Sequence, residues 1–102
     1  MEPLFAYGTL RDPAIQQKLL ARTLAGQADT LDGFELFSVR LGRQAYPMIR
    51  PSSRANVSVA GTVFMIRPDE LAILDDYETD AYLRVQITLR SGLVAWVYRQ
   101  PS

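Results

Sequence analysis

Proton-transfer chemistry has few candidate groups in this chain. The sequence contains no histidine and no cysteine. The commonest general base, the commonest metal ligand and any thiolate nucleophile are therefore absent, and no zinc site is expected. Lys18, the only lysine, sits among Gln16, Gln17, Leu19 and Leu20 on a predicted helix and is expected to face water. That leaves the carboxylates, and they concentrate in one stretch, Leu74-Asp75-Asp76-Tyr77-Glu78-Thr79-Asp80-Ala81-Tyr82. It carries four acids and two tyrosines where a predicted helix hands over to a strand. A helix C-terminus already bears partial negative charge, so acids are poorly placed there. Asp76 and Asp80 read as solvated. The segment as a whole has the pattern of one that binds a cation or holds a carboxylate at raised pKa.

A second stretch suits an anion. In Leu4-Phe5-Ala6-Tyr7-Gly8-Thr9-Leu10-Arg11-Asp12-Pro13, three apolar residues end a predicted buried strand and Tyr7-Gly8-Thr9 breaks it. Asp12 is the predicted N-cap of a helix with Pro13 at its first position. A strand that passes through a glycine turn into a helix start presents backbone N–H groups that no ladder consumes. Gly8 is expected to provide either a close approach or a positive φ. The loop lacks the lysine and additional glycines of a phosphate-binding P-loop.

The elements that must position these stretches follow from periodicity. Pro13 to about Arg22 is a predicted helix, with Ile15, Leu19 and Leu20 as its apolar stripe and Gln16, Gln17 and Lys18 as its wet side. A strand is expected from near Gly26 to Leu31, a tight turn at Asp32-Gly33, and a strand from Phe34 to Val39. Leu41 to Gln44 is read as a loop and Ala45 to Ile49 as a short extended piece held away from helix by Pro47. Val57 to Ile66 is the longest predicted strand; its central Gly61 implies a bulge, a bend or a close backbone approach. Arg67-Pro68-Asp69-Glu70 opens a second helix that ends near Tyr77 or Glu78. Tyr82 to Arg90 alternates, with Leu83, Val85, Ile87 and Leu89 expected inward. Ser91-Gly92 is read as a two-residue hairpin turn leading into Leu93 to Arg99. About six strands and two helices, mostly linked as hairpins, predict an α+β fold built on a small mixed, mainly antiparallel barrel.

Composition narrows the partners. The chain has 102 residues, which suits one domain spanning 1–102, and 48% of them are hydrophobic, enough for a core. Eleven basic and eleven acidic residues cancel, and the arginines are scattered. No basic cluster marks a nucleic-acid footprint. No run approaches the ~20 apolar residues of a membrane span. Met-Glu-Pro lacks the basic and apolar regions of a signal peptide, so a cytoplasmic location is expected.

Phe5-Ala6-Tyr7-Gly8-Thr9-Leu10, Tyr46-Pro47, Gly61-Thr62-Val63-Phe64, Leu74-Asp75-Asp76-Tyr77-Glu78 and Tyr82-Leu83-Arg84 together resemble, in order and over nearly the whole chain, the AIG2-like, gamma-glutamylcyclotransferase-like family. The resemblance implies a small mixed β-barrel with flanking helices and a cavity at one mouth. It implies that Tyr7, Gly8, Thr9 and Leu10 bind the α-carboxylate of a γ-glutamyl group, that Glu78 is the catalytic acid/base, and that Tyr46 and Tyr82 line the pocket. Arg84 fits the same motif and is read as a pairing residue on the sheet. The implied reaction is an intramolecular aminolysis, of lyase or acyltransferase type, that releases 5-oxoproline and an amine from a small γ-glutamyl substrate, with no metal and no cofactor. Thr79 departs from the pattern, since many members carry glycine after the glutamate. The alternative is a non-catalytic small-ligand binding or regulatory module on the same fold.

Overall fold

A computed structural model of the chain describes residues 1–101, apart from the side chain of residue 41. In chain order the strands are β1 (Glu2–Ala6), β2 (Gly26–Asp32), β3 (Phe34–Leu41), β4 (Gln44–Pro51), β5 (Ser58–Ile66), β6 (Leu83–Thr88) and β7 (Val94–Arg99). Helix α1 (Pro13–Leu20) follows β1, and α2 (Pro68–Glu78) follows β5. Two 3-10 turns, Thr9–Arg11 and Thr79–Ala81, flank the helices. Five strands form a sheet in the order β2-β5-β1-β7-β6, and β3 and β4 form a separate ribbon. Every pairing is antiparallel except that of β1 with β7. The fold is thus the expected mixed, mainly antiparallel α+β arrangement, with a seventh strand where a short extended piece was predicted.

Alternation along β1 separates two cores, because successive side chains of a strand point to opposite faces. Leu4 and Ala6 join Phe64, Ile66, Leu71, Leu74 and Tyr98 beneath the helices. Phe5 and Tyr7 join Leu31, Ile49, Val63 and Val97 on the other face. Burying one such large side chain is worth about 1.5–3 kcal/mol. The sheet curls without closing into a full barrel. Its two edge strands share no ladder, but the backbone N–H of Arg90, just past β6, donates to the Thr30 carbonyl of β2 at 2.8 Å. Among the described residues no helix is long and apolar enough to cross a membrane.

Five local expectations are corrected. The turn at Asp32-Gly33 exists, with Gly33 at φ +80°, yet β2 and β3 do not pair: Gly33 donates to the Val57 carbonyl and accepts from the Ser52 N–H instead. The predicted 41–44 loop is a tight turn at Gly42 (φ +65°) that brings Leu41 opposite Gln44, which extends both strands of the ribbon. The turn between β6 and β7 is longer than two residues. Leu89 donates to the Leu93 carbonyl and Gly92, at φ +92°, donates to that of Leu89. Gln16, assigned to the wet face of α1, is 2% exposed. Its amide donates to the Leu10 carbonyl and accepts from the Leu24 N–H, both at 2.8 Å, so it replaces water for two loop segments. Leu83, expected inward, is 46% exposed at the start of the edge strand β6. Gly61 proves to be a close approach: a Cβ there would lie 2.5 Å from the Ala6 carbonyl oxygen on β1.

Candidate active site

The loop after β1 is shaped by what holds its carbonyls. Arg11 Nη2 donates to the Tyr7 carbonyl at 2.9 Å, and its Nε donates to that of Gly8 at 3.3 Å. The Thr9 carbonyl accepts from the Asp12 N–H at 2.9 Å, and that of Leu10 accepts from Gln16 Nε2. All peptides are trans, so each N–H points opposite to the carbonyl of the same peptide unit. The amides of Gly8, Thr9 and Leu10 are therefore turned away from these donors. Among the described residues none of the three has an acceptor. Successive free backbone N–H groups of this kind can hold an anion. Gly8 sits at φ −126°, so its role is close approach rather than a positive φ. A Cβ would stand 3.1 Å from Pro47 Cγ. Asp12 caps α1 as predicted, accepting from the Ala14 N–H at 2.9 Å with Pro13 behind it.

The acidic stretch approaches from the other end of the chain. Helix α2 is anchored at its start by Glu70, whose carboxylate takes the Arg67 N–H at 2.9 Å and the Arg22 guanidinium at 2.7 and 2.8 Å. Those bonds hold the 1%-exposed Glu70 carboxyl down to about 2 and keep it ionised. Glu78 is the last residue of α2 and is half-buried. Burial raises its pKa from 4.5 to about 7. Thr79 follows at φ 60°, ψ −166°, a region that essentially only glycine occupies and that costs about 1–3 kcal/mol. The departure from glycine noted in the sequence thus falls on a strained residue beside Glu78.

One cavity of about 430 Å³ is lined by all seven residues proposed from the sequence, namely Tyr7, Gly8, Thr9, Leu10, Tyr46, Glu78 and Tyr82. That volume lies in the range of small-molecule sites. Tyr7 is buried and its hydroxyl donates to the Tyr98 carbonyl; burial drives its pKa far up, so it stays a neutral donor. Tyr82 donates to the Pro47 carbonyl at 2.7 Å, and burial together with the Glu78 charge pushes it up to about 12. Tyr46 is more exposed, and its hydroxyl donates to Gln44 Oε1 at 2.6 Å. Thr9 Oγ1 and the Tyr77 hydroxyl lie 3.3 Å apart and link the amide loop to α2. Among the described residues no three carboxylates converge as a metal would require.

Sequence reasoning missed the residues that act from behind the cavity. Arg11 aims the loop amides, Gln16 holds the end of the loop at the Leu10 carbonyl, and Asp75 ties the end of α2 to the sheet through Arg84 and Tyr98. Arg84 does pair, as expected, but with a helix residue rather than along the sheet. The only sequence signal was position: Arg11 stands within the loop motif, and Asp75 and Arg84 stand within the two motifs that frame Glu78. The site combines a triplet of free amides, which can receive an anion, with a carboxyl group whose pKa burial raises to about 7, in a partly enclosed, tyrosine-rich cavity.

Residues 4–102 match the gamma-glutamyl cyclotransferase, AIG2-like family. AIG2-like protein A of Arabidopsis thaliana is 39% identical over 85 residues, covering 82% of this chain and 49% of that protein. AIG2-like protein D of the same plant is 37% identical over 91 residues, covering 87% and 58%. The chain spans about half the length of these curated relatives. An Arabidopsis thaliana protein solved in solution is 32% identical and superposes with a TM-score of 0.81 over 97% of this chain and 68% of its own. A structure described as gamma-glutamyl cyclotransferase superposes with a TM-score of 0.76 over 99% of this chain and 67% of its own. At 19% identity that likeness shows a shared fold.

Proposed function

The chain belongs to the gamma-glutamyl cyclotransferase, AIG2-like family, and from that premise we propose that it cyclises the γ-glutamyl group of a small amide to 5-oxoproline and releases an amine. The observation that carries the reading is the pairing of two unlike features in one cavity: free amides at Gly8, Thr9 and Leu10, and Glu78 with its pKa near 7. The amides take the substrate's α-carboxylate. The α-ammonium gives a proton to the Glu78 carboxylate. The freed amine attacks the γ-carbonyl carbon; the new C–N bond closes the lactam as the original γ-amide C–N bond breaks. Protonated Glu78 returns its proton to the departing nitrogen, and the second proton, which the attacking nitrogen sheds as the ring closes, follows through the same carboxylate, so the amine leaves as an ammonium ion.

The sparse site fits this chemistry. Nucleophile and electrophile belong to one molecule, so folding the substrate into the attacking conformation does most of what a catalyst must do, worth up to ~7–11 kcal/mol in favourable cases. A glutamate at its ordinary pKa is a weak base for an ammonium; one near 7 is better matched and still about half ionised at neutrality. Tyr7, Tyr46 and Tyr82 confine the substrate and limit water.

The test is release of 5-oxoproline from a panel of γ-glutamyl amino acids, γ-glutamylamines and glutathione, with Glu78→Gln in parallel. The expected result is product from the natural chain and none above background from the variant. Equal rates would remove Glu78 from the mechanism. No product from any compound, with a γ-glutamyl ligand still raising Tm, would replace the reaction with the non-catalytic binding module.

A further inference from the structure

We propose that Arg84 is a positioning residue that, by gripping Asp75, holds the last turn of α2 against β6 and β7 and so keeps Glu78 inside the cavity. The inference rests on the reading of Glu78 as the proton-transfer group. The last turn of α2 has no basic residue of its own, while Asp75, Asp76 and Glu78 crowd the negative end of the helix dipole. Left to itself, such a turn gains by swinging its carboxylates into water. Arg84 opposes this from β6. Its Nε and Nη2 donate to the two Asp75 oxygens at 2.8 and 3.1 Å, a forked geometry that fixes direction as well as distance.

The clamp has further members. Tyr98 of β7 donates its hydroxyl to Asp75 Oδ1 at 2.7 Å. The Arg84 guanidinium lies 4.2 Å from the centre of the Trp96 ring, also on β7. The Asp75 backbone carbonyl accepts the N–H of Thr79, the residue directly after Glu78. Asp75 and Glu78 are three apart on the helix and so adjacent on its surface. Holding Asp75 by both carboxylate and carbonyl therefore constrains the turn that carries Glu78. Arg84 itself does not line the cavity.

The charged and titratable groups that face Glu78 are Tyr7 from the loop after β1, Tyr82 ahead of β6 and Tyr98 on β7. All three are held neutral by burial through the working range of pH. Asp75 stays ionised under the Arg84 hydrogen bonds. The predicted effect of losing Arg84 therefore runs through the position of Glu78. Its sign is distinctive: removing a nearby cation alone raises a carboxyl pKa, whereas letting the carboxyl reach water lowers it.

The experiment follows the Glu78 side-chain carboxyl by carbon-13 NMR through a pH titration, in the natural chain and in Arg84→Met, Arg84→Lys and Tyr98→Phe, with the pH profile of 5-oxoproline release measured alongside. In Arg84→Met the midpoint should fall by about one pH unit or more, and the acidic limb of kcat should move with it. Arg84→Lys keeps the charge without the fork and should lie between. Tyr98→Phe should show a smaller fall. An unchanged or raised midpoint in a folded Arg84→Met overturns the proposal. If that variant does not fold, the signs in Arg84→Lys and Tyr98→Phe decide in the same way. If the natural chain releases no 5-oxoproline, the proposed reaction fails, and the carboxyl titrations still decide the clamp.

Discussion

Glu78→Gln should make the protein more stable at alkaline pH while ending turnover. Burial moves the Glu78 pKa from 4.5 to about 7. A folded-state pKa above the unfolded value means that the native state holds its proton more tightly than the unfolded chain does. Stability contributed by this group is then complete below about pH 4.5 and is lost as pH rises through 7. Above that, the folded state carries a desolvated anion. Each pH unit of displacement corresponds to about 1.4 kcal/mol, so the full penalty is about 3 kcal/mol. Glu78 is half-buried and keeps part of its contact with water, and discounting for that halves the penalty to about 1.5 kcal/mol. Glutamine has the shape of the protonated acid without its titration. At about pH 8 the variant should therefore melt about 6–12 °C above the natural chain. Near pH 4 the two melting curves should almost coincide. Calorimetry or circular dichroism across that range gives the answer. A variant equally stable at both ends, or less stable at pH 8, would refute the claim that Glu78 is held at a raised pKa by burial.

Thr79→Gly should stabilise the chain by about 1 kcal/mol in urea unfolding, since relief of about 1–3 kcal/mol of backbone strain outweighs about 0.5–1 kcal/mol of added chain entropy; a comparable loss would show that the threonine side chain matters more than the strain. Arg11→Ala should raise KM about tenfold with kcat changed less than about twofold, because charge-assisted bonds worth about 1.5 kcal/mol hold the carbonyls that aim the loop amides. A fall in kcat at unchanged KM would place Arg11 elsewhere in the mechanism. Glu70 is held down to about 2 by Arg22, so its share of stability is present above about pH 5 and disappears as pH falls toward 2. Glu70→Gln should flatten the stability curve across that acid window, which chemical unfolding at several pH values will show.

Much of the fold was legible because it is local. Asp12-Pro13 and Arg67-Pro68 mark helix starts through groups that meet within three residues. Alternation from Leu83 to Leu89 marks a strand, and Gly92 marks a turn, although its length depended on which position of the turn adopts a positive φ. The candidate site was legible as motifs: the residues read from the two ends of the chain do share one cavity. Strand partners were not legible in the same way. Asp32-Gly33 has the chemistry of a hairpin turn, but β2 finds β5 and β3 finds β4, because pairing is settled by which apolar faces can be buried together across the whole chain. Gln16 looked like a surface residue because nothing within one helical turn shows that two loop segments need its amide.

The same division runs through the chemistry. Amino-acid types alone set aside histidine and cysteine chemistry and left carboxylates, tyrosines and Lys18, and motif order pointed to Glu78. The working pKa of that carboxylate is a property of the folded enclosure. Tyr7 and Tyr98 stand 71 and 20 residues away along the chain and line the same cavity, where burial removes part of the water that would keep Glu78 an ordinary acid. The direction of the Gly8, Thr9 and Leu10 amides is likewise set by the Arg11 side chain and the Asp12 N–H gripping the carbonyls of Tyr7, Gly8 and Thr9 behind them. Desolvation and the aim of a backbone dipole depend on what the rest of the chain brings close, so they arise only when distant segments close over the site.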